Sequence, residues 1–133
     1  MNQLEVFLKV ARHLINQKEA SVNRIGPKSE VIYECRYRTD KGLSCAVGCL
    51  INDEHYSEER LEGQNIDRPT VRAAVARSLG TTLSPSDIEL LCRLQGLHDT
   101  LVPEEWEEAL IDMGVKLFNL DKEEFLQSIG DKK

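Results

Sequence analysis

Three of the four prolines in this 133-residue chain stand at the head of an amphipathic run, and that punctuation limits the fold more than any other feature. Proline lacks an N–H and holds φ near the helical value, so it suits the first turn of a helix and breaks later turns. Pro69 opens a run in which Val71, Ala74, Val75, Ser78 and Leu79 recur at helical spacing until Gly80 stops it. In LSPSDIELL, Ser84 is a natural N-cap, Pro85 takes the first helical position and Asp87 the third. That helix carries Ile88, Leu91, Cys92, Leu94 and Gln95 and is expected to end near Gly96 to His98. Pro103 opens the next, with Glu104 and Glu105 where the helix dipole favours anions, and Trp106, Ala109, Leu110, Met113 and Leu117 facing inward. A short last helix, 122–129, packs through Phe125 and Ile129.

Upstream, Leu4, Phe7, Leu8, Ala11, Leu14 and Ile15 predict a further amphipathic helix over residues 3–17. The segment EVIYECRYR alternates Val31, Tyr33, Cys35 and Tyr37 against Glu30, Ile32, Glu34, Arg36 and Arg38, the period of a strand. TDKG (39–42) supplies turn chemistry, and Leu43 to Val47 can return as a second strand. NDEHYSEERLEGQN (52–65) is polar and reads as loop or broken helix. The expected architecture is mostly α, in an α+β sense: about five helices with one small antiparallel β-hairpin near residues 30–47, in a single domain spanning 1–133.

Function classes are narrowed by charge. Twenty-three acidic residues are interspersed with 17 basic ones for a net −6, which leaves no basic face for nucleic acid. No apolar run approaches the roughly 20 residues that cross a bilayer. Glu5, Lys9, Arg12 and His13 rule out a signal peptide at the start. The chain is therefore expected in the cytosol, where its four cysteines stay reduced.

Chemistry concentrates in GLSCAVGCLINDEHY, residues 42–56. Cys35, Cys45, Cys49 and His55 offer four donors of the kind that bind zinc, but only Cys45 and Cys49 have knuckle-like spacing. A thiol at a strand-to-helix corner can instead be a nucleophile, with His98 as base and Asp99 orienting it. No Asn or Gln is placed to suggest an oxyanion hole. The third reading is a packing corner, in which Cys45, Ala46, Gly48 and Cys49 are small because backbones meet there. That reading is preferred, so neither a metal nor another cofactor is expected. The acids Asp53, Glu54, Glu58, Glu59 and Glu62 lack calcium-loop spacing and read as a solvated face. Phosphate-binding glycine loops, a nucleophile elbow, paired-histidine zinc motifs and RNA-binding aromatic signatures are absent.

As a set, CRYR, DKGLSCAVGCLINDEHY, LEG, LLCRLQGLHD and VPEEWEEAL resemble a family of small uncharacterised proteins found in tailed phages and bacteria. The pattern is a Cys-x-Tyr-Arg strand, a Cys-Ala-Val/Ile-Gly corner, an acidic pair before tyrosine and Glu-Gly, then Leu-Gln-x-x-His-Asp and a tryptophan. The likeness spans residues 35–110, and Asn52 stands where the pattern has proline. It implies a phage or prophage setting in the bacterial cytoplasm and a non-enzymatic accessory protein that binds and modulates a host protein or defence component. The polar loop is the expected working surface, with His55, Tyr56, Glu62 and Arg38 as binding residues. Alternatives are a cysteine-dependent hydrolase or transferase built on Cys45, His98 and Asp99, and a protein that sequesters a small ligand in a pocket or at the interface of a homo-oligomer.

Overall fold

A computed structural model describes residues 1–25, 32–39 and 41–130, without side chains at 23–25 and 32–35. The chain is mostly helical: α1 (Gln3–Gln17), α2 (Glu58–Leu61), α3 (Pro69–Leu79), α4 (Pro85–Thr100), α5 (Pro103–Phe118) and α6 (Lys122–Gly130) are the α-helices among the described residues. No helix there is long and apolar enough to cross a membrane.

The punctuation does what its chemistry dictates. Asp87 N–H donates to the Ser84 hydroxyl oxygen at 3.1 Å and Ser84 N–H to the Asp87 carboxylate at 3.0 Å, a reciprocal cap at the head of α4. Gly80 and Asn119 close α3 and α5 in the left-handed conformation. α4 runs past Gly96 to Thr100, longer than expected. Leu97 and His98 are buried on its inner face, so core packing carries the helix through the glycine.

α1 is the central element and packs on α4, α5, α6 and the turn at Gly48–Leu50. Phe7 is fully buried, with the Phe118 ring at 5.1 Å and the Phe125 ring at 6.0 Å. Burial of such a ring stabilises by about 3 kcal/mol. Gly114 lets α5 close on it, since a Cβ there would lie 3.3 Å from the Phe7 ring.

The hairpin expected near residues 30–47 is not found among the described residues. The antiparallel pair is instead β1 (Val22–Ile25) with β2 (Ile32–Cys35), in register Val22 to Cys35 and Ile25 to Ile32. Beyond β2, one isolated bridge, Arg38 to Ser44, joins the segments expected to pair among the described residues. α1 explains the interruption: Gln17 takes the Ser44 N–H at 3.0 Å, and His13 and Gln17 both donate to the Ser44 carbonyl at 2.8 Å. Cys45 to Val47 then turn into the core, fully buried, in place of extending as a strand. Residues 30–31 of the expected strand and Asp40 of the expected turn lie outside the described residues.

Candidate functional site

Segment 52–67 is built around an inward carboxylate. It holds a 3-10 turn (Asp53–His55) and the single turn of α2, pinned to the core by Leu61 and Ile66. Glu62 turns in between these pins, its side chain 7% exposed. It accepts hydrogen bonds from Tyr37 N–H at 2.9 Å, Arg38 N–H at 3.1 Å and the Tyr56 hydroxyl at 2.6 Å, and the Arg36 guanidinium stands 3.7 Å away. A buried carboxylate with several donors is tightly held, because losing any of them strands charge away from water. Arg36 also reaches Glu58 at 2.7 Å. Arg38 reaches Asp53 and the Ile51 carbonyl, each at 2.6 Å, and lies 4.5 Å over the Tyr56 ring as a cation–π pair. Burial, and then the adjacent Glu62 carboxylate, push the Tyr56 hydroxyl up to about 12, so it remains a donor.

Three of the four expected binding residues, Arg38, Tyr56 and Glu62, therefore meet in one network. They meet facing each other. Glu62 is no outward contact residue: its oxygens hold the backbone at 37–38. His55 stands apart from the network, with Nε2 3.7 Å from Glu54.

Behind residues 63–67 a cleft of about 490 Å³ opens toward α4, lined by Arg36, Asn65, Cys92, Gln95 and Asp99, with Cys45 at its base. Of the alternative catalytic trio, Cys45 and Asp99 line it and His98 is buried beside them on α4, yet the parts do not assemble. His98 Nδ1–H donates to Asp99 at 2.8 Å, while Ser21 N–H donates to His98 Nε2 at 2.9 Å. A backbone N–H only donates, so Nε2 is unprotonated and its lone pair is used. The ring is stacked on Trp106 at 5.3 Å and has no nitrogen left to take a proton from a thiol. Cys45 is 1% exposed, its sulfur accepts from Gly48 N–H at 3.3 Å, and burial raises its pKa far above the ordinary thiol value. A nucleophile needs the thiolate, which this environment suppresses. Cys45, His98 and Asp99 are parts of the scaffold.

Sequence reasoning missed what that scaffold is. Gln95 donates to Asp99 at 2.8 Å and accepts from Val47 N–H at 3.0 Å, so hydrogen bonds run from the 45–48 corner through Gln95, Asp99 and His98 to Ser21. The single sequence signal is the four-residue spacing of Gln95 and Asp99 on one helix face. Ser21, 77 residues from His98, has none.

Among the described residues, Cys45, Cys49 and His55 of the alternative zinc set are not brought together either. Cys49 N–H donates to the Cys45 carbonyl at 3.1 Å, so the two cysteines span a helical turn, and Cys49 Sγ bonds back to the Ala46 carbonyl at 3.1 Å. Burial pushes the Cys49 thiol up to about 12, against a smaller pull from Lys9. No group of three or more His, Cys, Asp and Glu able to hold a metal ion occurs among the described residues. The side chain of Cys35 lies outside them.

Comparison with protein-family models, with curated proteins and with solved structures finds no match to this chain.

Proposed function

We propose that the chain is a non-enzymatic binding module whose working surface is the outer side of segment 52–67. In the phage setting that the sequence pattern implies, the partner is a protein of the bacterial host or one of its defence components. The observation that carries this reading is the inward Glu62 carboxylate, which fixes a long polar connection from within. The outer residues Glu59, Gln64, Asn65 and Asp67 stay exposed on a backbone that no longer has to be ordered on contact. Preordering of this kind removes part of the entropic cost of association, and long ordered connections are where function concentrates.

A combined Glu59→Lys, Gln64→Ala, Asn65→Ala variant tests it, with Glu108→Lys on the exposed side of α5 as control. Capture from bacterial lysate, read by quantitative mass spectrometry, should lose its specific species with the triple variant and keep it with the control. Loss of capture by the control alone, or turnover of acyl-ester substrates that Cys45→Ser abolishes, would overturn the proposal.

A second reading rests on the cleft itself, whose volume is that of a small-ligand site and whose walls carry Arg36, Gln95 and Asp99. A metabolite that raises the thermal midpoint of the native protein, and fails to do so with Asp99→Asn, would favour sequestration over partner binding.

A further inference from the structure

On its opposite side, segment 52–67 faces α3 across a groove of about 390 Å³. Leu61 and Ala74 form its buried floor, and its polar walls carry His55, Ser57, Arg60, Thr70 and Arg77. We propose that this groove binds a phosphate group, with Arg60 and Arg77 as its cationic walls. The inference goes beyond the reading above, because the groove is on the other side of the same segment.

The charge pattern is what singles the groove out. Carboxylates outnumber cations 23 to 17 in this chain, and several other arginines are engaged: Arg36 with Glu58, Arg38 with Asp53, Arg72 with the Asp67 carbonyl, Arg93 with Glu89. Arg60 and Arg77 have no ion pair or hydrogen bond among the described residues, and both are exposed at the rim. Two uncompensated guanidinium groups sharing one concavity repel each other unless an anion lies between them.

The hydroxyls point the same way. Ser57 stands at the N-cap position of α2, yet its side chain makes no capping bond. Thr70 lies one turn before Ala74 and two before Arg77 on one face of α3, and its hydroxyl also has no partner among the described residues. Ser78 on the same helix shows the ordinary alternative, donating to the Ala74 carbonyl at 2.8 Å. Two guanidinium forks and two hydroxyl donors around one hollow match a tetrahedral dianion with several acceptor oxygens. Glu54 is the one carboxylate in the lining, and it stands 3.7 Å from His55 Nε2.

The test is an amide-resolved NMR titration of the full chain with inorganic phosphate, with O-phosphoserine in a short peptide, and with sodium chloride at matched ionic strength. Saturable shifts confined to residues 54–60 and 70–77 are expected with both phosphates and not with chloride. Arg60→Ala and Arg77→Ala should each weaken binding about tenfold, the loss of one charge-assisted contact, while Arg93→Ala changes nothing. Tighter binding of the phosphopeptide identifies a phosphorylated side chain as the natural source, and equal binding a free phosphate. No saturable shift, an equal response to chloride, or binding that survives the double replacement overturns the proposal. Because the titration needs no protein partner, its failure leaves the capture experiment standing, and the converse holds as well.

Discussion

Replacing Glu62 by alanine removes one acceptor from three donors at once, the Tyr37 and Arg38 amides and the Tyr56 hydroxyl, and leaves Arg36 with Glu58 and the Arg38 carbonyl. A hydrogen bond to a charged group contributes about 1.5–3 kcal/mol, but three sharing one carboxylate do not add, since water reaches part of the vacated site. Breaking a buried charged cluster from one side costs about 3–5 kcal/mol, and that is the expected loss for Glu62→Ala. Against a domain stability of about 5–15 kcal/mol it is a large fraction. Glu62→Gln keeps the shape but turns an N–H₂ toward a donor, so it should recover only part, at about 2–3 kcal/mol. Tyr56→Phe leaves the carboxylate bonded to both amides and should cost about 1 kcal/mol. Urea unfolding followed by fluorescence of Trp106, the single and fully buried tryptophan, measures all three. A Glu62→Ala midpoint within about 1 kcal/mol of the parent, or a Tyr56→Phe loss as large as that of Glu62→Ala, would refute the placement of Glu62 as the anchor.

Other consequences are as direct. At Gly48 an added Cβ would lie 2.0 Å from the Tyr37 carbonyl oxygen, and backbone cannot rotate away as a side chain does. Gly48→Ala should therefore cost at least about 1–3 kcal/mol in thermal unfolding, and an unchanged midpoint would mean that the corner is loose. His13 is held below its ordinary value of 6.5 by burial, partly offset by its bond to the Ser44 carbonyl and reinforced by nearby His98. A base with a depressed folded pKa contributes stability that is complete above 6.5 and is lost as pH falls through the folded value. The thermal midpoint should accordingly decline on acidification from about pH 6.5, and His13→Gln should flatten that part of the profile. Site-resolved alkylation of the native protein should modify exposed Cys92 first and Cys45 and Cys49 only on unfolding; equal rates at Cys45 and Cys92 would contradict the burial described.

The helices were legible because what starts and stops them is local. Pro69, Pro85 and Pro103 sit at first helical positions, Ser84 and Asp87 cap each other three residues apart, and Gly80 supplies the left-handed stop. The packing-corner reading of Cys45 to Cys49 was legible for a similar reason: a run of small residues announces close approach, although not what approaches. That partner, the Tyr37 carbonyl, is a tertiary fact. Strand pairing was misplaced because alternation marks a strand without naming its neighbour. Val22–Ile25 took the place of Leu43–Val47 once α1 side chains had claimed the Ser44 backbone. His98 and Asp99 looked like half of a catalytic pair until Ser21, 77 residues away, supplied the N–H that occupies the ring. Glu62 looked like loop surface until the amides of Tyr37 and Arg38, more than 20 residues upstream, met it inside. Residue type and spacing set which groups can bond within a turn or two. Which distant backbone donor fills a given lone pair is decided only when the whole chain has packed, because a buried polar group takes whatever partner the core brings to it.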